Sequence, residues 1–317
     1  MKAIVLQDFG GIDQLKVQEL PIPAIQDHEV LVKVKALSIN PVDAKTRAGR
    51  GMANRYKDQL PVVLGWDIAG TVEQVGKQVT RFKTGDPVFG MVNFPGLGNA
   101  YAEYVAAPAS HLALKPANIS FEEAAAATLA ALTAWQGLVH QAKVKPGQQI
   151  LIQAAAGGVG HFAVQIAKHL GAVVTGTSSA ANKDFVLSLG ADKHIDYHLQ
   201  PLDAAGSEYD LVLDPLGGDN IERSFGVVRK GGIMLSIVSA FADLVKEKAA
   251  AMGVNGFFFM VAPSEADMQA IAELLANNVL RPHVAQVFSF EALPDAHLAV
   301  ESGRTRGKIV VSFSSND

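Results

Sequence analysis

The sequence contains no cysteine in 317 residues. This absence excludes disulfide bonds, thiolate nucleophiles, iron–sulfur clusters and every zinc site that uses cysteine. The net charge of −4 provides no general attraction for nucleic acids or anionic membranes, so we expect neither as a partner. A cysteine-free chain fits a reducing compartment, and we expect a cytoplasmic location.

Long hydrophobic runs are also missing. The most apolar stretch, residues 124–135, is too short to span a membrane and contains Thr128 and Thr133. We therefore interpret it as a buried helix. The opening residues, MKAIVLQD, contain only a short apolar run, which predicts a first strand and not a signal peptide.

What the sequence does contain is typical of a compact globular protein, with 49% hydrophobic and 18% charged residues. Because a single core stops growing in chains of this length, two domains are expected. Residues 1 to about 120 hold short, partly alternating apolar runs separated by Gly, Pro and Asp, which indicate a β-rich barrel or sandwich. Composition alone does not choose among small all-β folds.

The pattern changes near Ser120, which together with Glu122 and Glu123 is typical of a helix start. Beyond it, apolar strands alternate with helices, as in a parallel sheet that is covered on both faces. The candidate strands are 149–153, 173–177, 193–197, 210–214, 233–238 and 256–261. The candidate helices are 160–170, 181–189, 220–228 and 265–276.

The tail of the chain returns to β character, and a strand near 308–313 is expected to rejoin the first domain. The chain would then leave the β-rich domain and come back to it. These patterns predict an α/β fold in which a doubly wound, Rossmann-type domain is inserted into a β-rich domain, with a cleft between them. We assign residues 1–120 and 264–317 to the first domain and residues 121–263 to the second.

A glycine-rich turn lies where the first predicted parallel strand passes into a helix. The spacing Ala155-x-Gly157-x-x-Gly160 is the dinucleotide fingerprint with alanine in place of its first glycine, and Gly158 lies inside it. Gly157 would let the backbone approach a pyrophosphate, and Gly160 would let the helix pack closely on the strand. The alternative is a tight turn without a ligand, but the flanking strand and helix favour dinucleotide binding.

The end of the second parallel strand selects between the two nicotinamide dinucleotides. An NAD site needs an acidic side chain there to bind the ribose 2′-hydroxyl, and no carboxylate occurs before Asp184. Ser178 and Ser179 occupy the strand end and Lys183 follows, which favours NADP(H). Alternatively the serines cap the next helix, and the two roles are compatible.

Six motifs in order resemble one family over nearly the whole chain. They are NPVDAKTRAG, LGWDIAGTVEQVG, AYAEYVAAP, AAAGGVGHFAVQIAKHLGA, LGADKHIDY and GRTRGKIVV. The chain resembles the zinc-independent quinone oxidoreductase branch of the medium-chain dehydrogenase/reductase superfamily. The resemblance implies a GroES-like β domain built from both chain ends, an NADPH-binding Rossmann domain between them, and an active site in the cleft. It also implies a homodimer, for which we expect pairing through the apolar strand GFFFMV.

The resemblance further implies that no metal is bound. Where zinc-dependent relatives carry ligands, this chain has Asn40-Pro41-Val42-Asp43 and Gly65-Trp66-Asp67, and the structural zinc loop is absent. One metal alternative remains, because HIDYH would place His194, Asp196 and His198 on one face of a strand. A histidine at a strand end is more often a surface residue.

The cofactor contacts that the resemblance implies come from several motifs. Lys45 would meet the nicotinamide or phosphate side, and Arg306 with Lys308 would close the far side. The other contacts would be Val159 and Gly160 on the pyrophosphate, Ser178, Ser179 and Tyr197 on the 2′-phosphate with Lys183 near, and Ser236, Ile237, Phe258 and Phe259 around the nicotinamide. Core packing explains the phenylalanines equally well, and a solvated tail explains Arg306.

The acceptor needs a group that polarises its carbonyl when no zinc is present. Asn40 would donate a hydrogen bond to a developing oxyanion or hold the ribose, and Asp43 or Asp67 would orient it. Tyr101 and Tyr104 are alternative proton donors, although AYAEYV is also typical of strand aromatics. For a conjugated acceptor, solvent can deliver the proton.

Tyr56 and Trp66 are the candidate substrate contacts. Tyr56 belongs to the basic stretch 45–57, which is either a solvated loop or a lid that uses Arg47, Arg50 and Arg55 as anion partners. The expected function is hydride transfer from NADPH, without zinc, to a quinone or similar conjugated carbonyl. Two alternatives stay open: reduction of the C=C bond of a 2-alkenal or enone, and a cofactor-binding regulatory module with little turnover.

Overall fold

The computed structural model describes residues 1–200, 202 and 209–313. The chain divides into two compact units, the first comprising Met1–Leu132 with Ala262–Asp317 and the second comprising Thr133–Val261. Each unit is built on its own β-sheets. Within the described part of the chain, no helix is both long enough and apolar enough to cross a membrane.

The strands are β1 (Lys2–Leu6), β2 (Leu15–Glu19), β3 (Glu29–Ile39), β4 (Val62–Val63), β5 (Asp67–Val75), β6 (Pro87–Met91), β7 (Tyr104–Pro108), β8 (Leu112–Leu114), β9 (Gln149–Ile152), β10 (Val173–Ser178), β11 (Lys193–Asp196), β12 (Tyr209–Asp214), β13 (Val228–Ser236), β14 (Asn255–Phe258), β15 (Val284–Ser289) and β16 (Lys308–Ser312). The α-helices are α1 (Pro41–Arg47), α2 (Ala53–Tyr56), α3 (Phe121–Ala126), α4 (Leu129–Trp135), α5 (Gly160–His169), α6 (Lys183–Ser188), α7 (Asn220–Val227), α8 (Ala242–Met252), α9 (Glu265–Ala276) and α10 (Leu293–Glu301).

The first unit is β-rich, as its short alternating apolar runs predict. Its larger sheet has the order β15-β16-β3-β5-β6-β8, with β7 also paired to β3, and its smaller sheet has the order β2-β1-β4. The strand expected near the end of the chain forms as β16. It pairs antiparallel with β3, where Val310 lies opposite Ser38. Early and late segments of the chain therefore share one sheet.

The second unit contains a six-stranded sheet of order β11-β10-β9-β12-β13-β14, in which all neighbouring strands are parallel. Strand order reverses between β9 and β12, which is the position where doubly wound sheets bind ligands at their carboxyl edge. The central strand β9, with the sequence QILI, is almost entirely buried, as expected for a strand covered on both faces. The predicted α/β, doubly wound fold class is confirmed.

The single buried helix predicted over residues 124–135 is wrong, because two helices, α3 and α4, cover this stretch. Between them, the Thr128 hydroxyl donates to the Ala125 carbonyl at 2.9 Å. The Leu129 N–H at the start of α4 donates to the Asp67 carboxylate at 3.1 Å. Side chains therefore satisfy backbone groups at the break, and one of them comes from a distant strand that apolar periodicity cannot reveal.

Other predicted elements form with shifted ends. The strand predicted over 233–238 begins earlier, at Val228, and ends at Ser236. Helix α9 has the predicted bounds, because the Ser264 hydroxyl caps it by accepting the Asp267 N–H at 3.2 Å. A capping residue that is visible in the sequence thus predicts the start of a helix more accurately than the hydrophobic pattern predicts the ends of a strand.

Candidate functional site

The glycine-rich turn joins β9 to α5. The backbone reverses at Ala154, whose φ of +47° lies in the left-handed region, and the Ala154 carbonyl accepts the Gly157 N–H at 2.8 Å. A Cβ atom on Gly160 would lie 2.1 Å from the same carbonyl oxygen, and one on Gly157 would lie 3.2 Å from it. Glycine at 160 is therefore required for α5 to pack against the turn, which is the packing role expected of it.

The N-terminus of α5 fits a phosphate group. Its N-cap residue, Val159, provides no side-chain hydrogen bond, and its first turn contains no acidic residue. In contrast, the hydroxyls of Ser120 and Ser264 cap α3 and α9. The helix dipole at this uncapped N-terminus favours an anion, and the pyrophosphate of a dinucleotide would match this arrangement. Gly158 belongs to the same turn.

The predicted 2′-phosphate residues lie at the end of the neighbouring strand. Ser178 is the last residue of β10; its hydroxyl lies 2.7 Å from Nε2 of His194 on β11 and donates to the Ser179 carbonyl at 3.1 Å. Ser179 precedes a short 3₁₀ turn, where its hydroxyl caps no backbone N–H. Helix capping therefore does not account for Ser179. Lys183 begins α6 and is exposed.

Tyr197 follows β11, and its N–H lies 3.4 Å from the Ser178 carbonyl oxygen. Tyr197 is 56% exposed, and its ring lies beside that of His198, with the two centroids 4.3 Å apart. The strand pairing thus brings Tyr197 close to the serine end of β10. His194, weighed as a metal ligand, bonds Ser178 instead; over the described residues no group of three or more His, Asp or Glu is arranged to hold a metal ion.

The residues predicted around the nicotinamide meet at the carboxyl edge of the same sheet. Ser236 ends β13 opposite Asp214, the last residue of β12, and the Ile237 N–H donates to the Asp214 carbonyl at 3.2 Å. The Phe259 N–H donates to the Ser236 carbonyl at 2.9 Å. Phe259 is buried and Phe258, which ends β14, is half-buried. This is the edge at which doubly wound domains bind their cofactor.

Asp214 is a buried carboxylate at this edge that was not among the predicted site residues. It accepts the Leu216 N–H at 2.8 Å and the Gly217 N–H at 3.1 Å, and burial raises its pKa. Its carboxylate thus orders the loop that follows β12. The available signal in the sequence is LVLD, an apolar strand that ends in a carboxylate.

A buried hydrogen-bond network in the first unit joins Asn40, Asp67 and Lys308. The Asn40 amide donates through Nδ2 to Asp67 Oδ2 at 2.7 Å, and its Oδ1 accepts a hydrogen bond from the Lys308 ammonium. That ammonium also donates to the Ile39 carbonyl at 3.1 Å and lies 3.9 Å from Asp67 Oδ2. The Ser38 hydroxyl donates to the same carboxylate oxygen at 2.7 Å. Lys308, predicted as a cofactor contact, is only 3% exposed.

Asp43 holds the other side of Asn40. It is fully buried near the start of α1, and its Oδ2 accepts the Asn40 N–H at 2.6 Å. Burial and the neighbouring Asp67 carboxylate raise the pKa of Asp43 to about 7, against the opposing effects of the Asn40 N–H and the Lys308 ammonium. Two buried carboxylates therefore share one ammonium, and near neutral pH Asp43 is partly protonated.

Tyr101 and His297 form a second buried pair in the first unit. The Tyr101 hydroxyl lies 2.9 Å from His297 Nε2, and both residues are wholly buried. Burial, aided by the Arg47 charge, lowers the pKa of His297 to about 3, so its imidazole is neutral. Burial and the Asp43 charge raise the pKa of Tyr101 well above its usual value. His297 was not predicted, since it lies in the helical pattern of α10 with no motif around it.

Tyr56 and Trp66, the predicted substrate contacts, are buried with their polar atoms bonded to one loop. The Tyr56 hydroxyl donates to the Pro95 carbonyl at 2.5 Å, and the Trp66 indole N–H donates to the Gly96 carbonyl at 2.7 Å. Burial also raises the pKa of Tyr56 to about 12. Any contact of these residues with a substrate would therefore be made by ring atoms.

The basic stretch 45–57 is not uniformly solvated. Arg47 is buried and pairs with Glu301 at 2.6 Å, so it is committed to the interior of the first unit. Lys45 is exposed on α1, and Arg306 is half-buried in the turn before β16. If this stretch forms a lid, its anion partners would have to be the exposed residues Lys45, Arg50 and Arg55.

Known proteins similar to this chain cover both units. Residues 26–117 match the family model described as alcohol dehydrogenase GroES-like domain, and residues 189–311 match the one described as zinc-binding dehydrogenase. The NADPH-dependent alkenal/one oxidoreductase, chloroplastic, of Arabidopsis thaliana is 35% identical over 321 residues, which cover 98% of this chain and 79% of that relative.

Two solved structures are similar over their whole length. The quinone oxidoreductase from Coxiella burnetii has a TM-score of 0.94 and 36% identity, and the match covers 98% of this chain and 99% of that one. The Escherichia coli quinone oxidoreductase complexed with NADPH has a TM-score of 0.84 and 29% identity, with 98% and 100% covered. Sequence and fold thus point to the same group of proteins.

Proposed function

Because this chain belongs to the quinone oxidoreductase branch of the medium-chain dehydrogenase/reductase superfamily, we propose that it transfers hydride from NADPH to a quinone or similar conjugated carbonyl. The observation that carries the proposal is the turn between β9 and α5. There Gly160 packs against the Ala154 carbonyl, and the helix N-terminus has no side-chain cap. A phosphate group is the ligand that such a helix start favours.

When bound, NADPH supplies the hydride. The second unit would hold the pyrophosphate at Gly157, Gly158, Val159 and Gly160, and the 2′-phosphate at Ser178, Ser179, Lys183 and Tyr197. Ser236, Ile237, Phe258 and Phe259 would line the nicotinamide. Lys45, Arg306 and Lys308 are further proposed contacts, but the burial of Lys308 and its bond to Asn40 favour an indirect role for it.

Asn40 and Asp43 are the proposed groups on the acceptor side. The amide orientation of Asn40 is fixed, because a lysine side chain can only donate to its oxygen, which leaves its nitrogen to donate to Asp67. One N–H of Asn40 Nδ2 is left over after the bond to Asp67, and a carbonyl oxygen of the acceptor could receive it. Tyr56 and Trp66 would support the acceptor through their rings. Solvent is the proposed proton source.

We propose that the reaction needs no zinc. The family resemblance implies that Asn40-Pro41-Val42-Asp43 and Gly65-Trp66-Asp67 replace the motifs in which zinc-dependent relatives carry ligands. The Lys308 ammonium already bonds Asn40 and lies 3.9 Å from Asp67. A divalent cation next to this ammonium would be repelled. Elemental analysis of the purified protein, and activity after exhaustive treatment with a chelator, test this. Full activity without metal is expected; a stoichiometric metal whose removal abolishes activity would contradict it.

The decisive test of the function has a binding step and a turnover step. Purified protein is titrated with NADPH and with NADH, and consumption of NADPH is then followed with 1,4-benzoquinone and with a 2-alkenal. We expect tighter binding of NADPH and turnover of the quinone. No binding of either cofactor would reject the proposal, and the Gly160→Ala variant provides a matched control for the binding site.

Reduction of an enone C=C bond is the second candidate, favoured by the similarity to an alkenal/one oxidoreductase. Faster turnover of the alkenal than of the quinone would establish it. The third candidate is a regulatory module with little turnover. Tight NADPH binding without consumption by either class of acceptor would support that candidate and reject the enzymatic ones.

A homodimer is also proposed. β14 is an edge strand of the six-stranded sheet, and its residues Phe257 and Phe258 are only half-buried. Pairing with the β14 of a second copy would satisfy the open backbone groups of this edge. Sedimentation equilibrium should give twice the chain mass of 33.5 kDa, and a monomer at micromolar concentration would reject the dimer.

A cytoplasmic location is the last part of the proposal. It is supported by the absence of cysteine, because proteins of oxidising compartments are often stabilised by disulfide bonds and this chain cannot form one. Fractionation of the source cells, with the protein detected by antibody, tests it. Recovery with an organelle or membrane fraction would contradict it.

A further inference from the structure

His194 is joined to the serine end of β10 by a short hydrogen bond. It lies on β11, where it is opposite Gly176 in the parallel register, and its Nε2 lies 2.7 Å from the Ser178 hydroxyl oxygen. Ser178 is the last residue of β10 and the first of the two serines proposed to bind the 2′-phosphate of NADPH. The Ser178 hydroxyl therefore lies between the titratable imidazole of His194 and the proposed position of the 2′-phosphate.

The Ser178 hydroxyl has one proton to donate, and the state of His194 decides where that proton goes. When the imidazole is neutral with its proton on Nδ1, Nε2 accepts the hydroxyl proton in place of the Ser179 carbonyl, and Ser178 then cannot donate to a phosphate. When the imidazole is doubly protonated, Nε2–H must donate to the serine oxygen. The hydroxyl proton is then released to the Ser179 carbonyl, 3.1 Å away, or to a phosphate oxygen.

The charge of His194 acts in the same direction as its hydrogen bond. An imidazolium at this place would attract a 2′-phosphate, which carries close to two negative charges at neutral pH. The charged groups that act on His194 are Asp196 on its own strand and Lys183 at the start of α6. Tyr197 and His198 follow on the same chain segment, and β10 contributes no titratable side chain.

We propose that His194, neutral with its proton on Nδ1, is a positioning residue for NADPH specificity: uptake of a second proton at Nε2 turns the Ser178 hydroxyl toward the 2′-phosphate and strengthens binding of NADPH relative to NADH. The inference rests on the proposed function, because it assumes that the cofactor carries its ribose to this strand end. Burial lowers the pKa of His194, as does Lys183, against the opposing effect of Asp196, so protonation of the free protein at this residue is disfavoured. The preference for NADPH should therefore grow as the pH falls below the usual histidine range.

The test compares dissociation constants of NADPH and NADH, by fluorescence titration, between about pH 8 and about pH 5.5. The variant is His194→Gln, whose amide nitrogen can still bond Ser178 but cannot take up a proton. We expect the ratio of NADPH affinity to NADH affinity to rise about fivefold more in the wild type than in the variant as the pH falls. The phosphate of free NADPH also titrates near pH 6, and this contribution is common to the measurements on both proteins.

Two controls make the route through Ser178 testable. The exposed His169, at the end of α5, provides the matched change His169→Gln, which should leave the pH dependence of the ratio unaltered. In a Ser178→Ala background, the effect of His194→Gln on the pH dependence of the cofactor preference should be at least about twofold smaller, because the hydroxyl is gone. Undiminished dependence in Ser178→Ala would overturn the hydroxyl mechanism.

Reciprocity gives an independent readout. If protonated His194 favours NADPH, then bound NADPH must raise the pKa of His194, and NADH must raise it less. Imidazole NMR signals of His194, recorded with and without each cofactor, measure this without turnover. Equal His194 titration with both cofactors would overturn the inference while leaving NADPH binding intact. Failure of both cofactors to bind would instead reject the proposed function.

Discussion

The Lys308 ammonium donates a hydrogen bond to the Asn40 side-chain oxygen across 268 positions of sequence. β16 carries Lys308 to the end of β3, where Ile309 pairs with Ile39, the residue before Asn40. Pairing of the two strands therefore sets the position of Asn40 together with its charge environment. The register of β16 on β3 thus sets the surroundings of Asn40, which is one of the groups proposed on the acceptor side.

Replacing Lys308 with methionine should destabilise the protein. The variant leaves the Asp67 carboxylate buried without its cation and Asn40 Oδ1 without its charged donor. We expect the free energy of unfolding to fall by about 3–5 kcal/mol, as measured by urea denaturation. Lys16→Met, an exposed lysine on β2, is the matched control and should change it by less than about 0.5 kcal/mol. Equal effects of the two variants would show that the buried ammonium does not stabilise the fold.

Replacing Asp43 with asparagine should change how stability depends on pH. Burial and Asp67 raise the pKa of Asp43 from 3.8 to about 7, so the folded state binds its proton more tightly than the unfolded state. Its contribution is fully present below about pH 4 and is lost as the pH rises to about 7. Wild type should therefore lose stability relative to Asp43→Asn over this interval, by more than about 1 kcal/mol in parallel urea titrations. The exposed Asp58→Asn should reproduce the wild-type trend; a flat difference for Asp43→Asn would contradict the raised pKa.

His297 should give the opposite trend. Burial and Arg47 lower its pKa from 6.5 to about 3, so the unfolded state binds the proton more tightly. Stability from the neutral imidazole is present above about pH 6.5 and is lost as the pH falls toward 3. His297→Gln should therefore gain about 2 kcal/mol relative to wild type between about pH 6.5 and pH 4.5, whereas the exposed His28→Gln should not. Parallel stability curves for wild type and His297→Gln would argue against a neutral buried imidazole.

The fold was predictable because its signals are local. The apolar strands of the second unit, the Ser120 cap and the glycine turn all act within a few residues, and the fold class that they predict is the one observed. The break between α3 and α4 was not predictable. It depends on Asp67, which comes from another strand and accepts the Leu129 N–H. Spacing along the chain carries no information about such a partner.

The placement of the candidate site residues was predictable where one strand–turn–helix unit carries them, and less so where distant segments meet. The predicted residues of the second unit do gather at the carboxyl edge of one sheet. In the first unit, the motifs identified Asn40 and Asp43, but the environment of Lys308 depends on sheet pairing between residues far apart. His297 could not be identified from the sequence, because its partner Tyr101 lies 196 positions away along the chain.

Gly160→Ala offers the most direct test of the turn between β9 and α5. The added Cβ would lie 2.1 Å from the Ala154 carbonyl oxygen and 2.8 Å from the Ala155 Cα, and both are backbone atoms that cannot rotate away. The turn must open, which moves the start of α5. We expect a loss of about 3 kcal/mol in unfolding free energy and at least about a tenfold weaker NADPH affinity, measured by urea denaturation and by fluorescence titration.

Gly226→Ala is the control that separates this clash from the ordinary effect of a methyl group in a helix. Gly226 lies in α7 and is exposed, and a Cβ there meets no atom within 4 Å. Alanine should stabilise this helix by about 0.5–1 kcal/mol and leave NADPH affinity unchanged. The two substitutions thus make the same chemical change with opposite expected signs. If Gly160→Ala also stabilised the protein and bound NADPH normally, the close packing of α5 on Ala154 would not be needed to form the phosphate site.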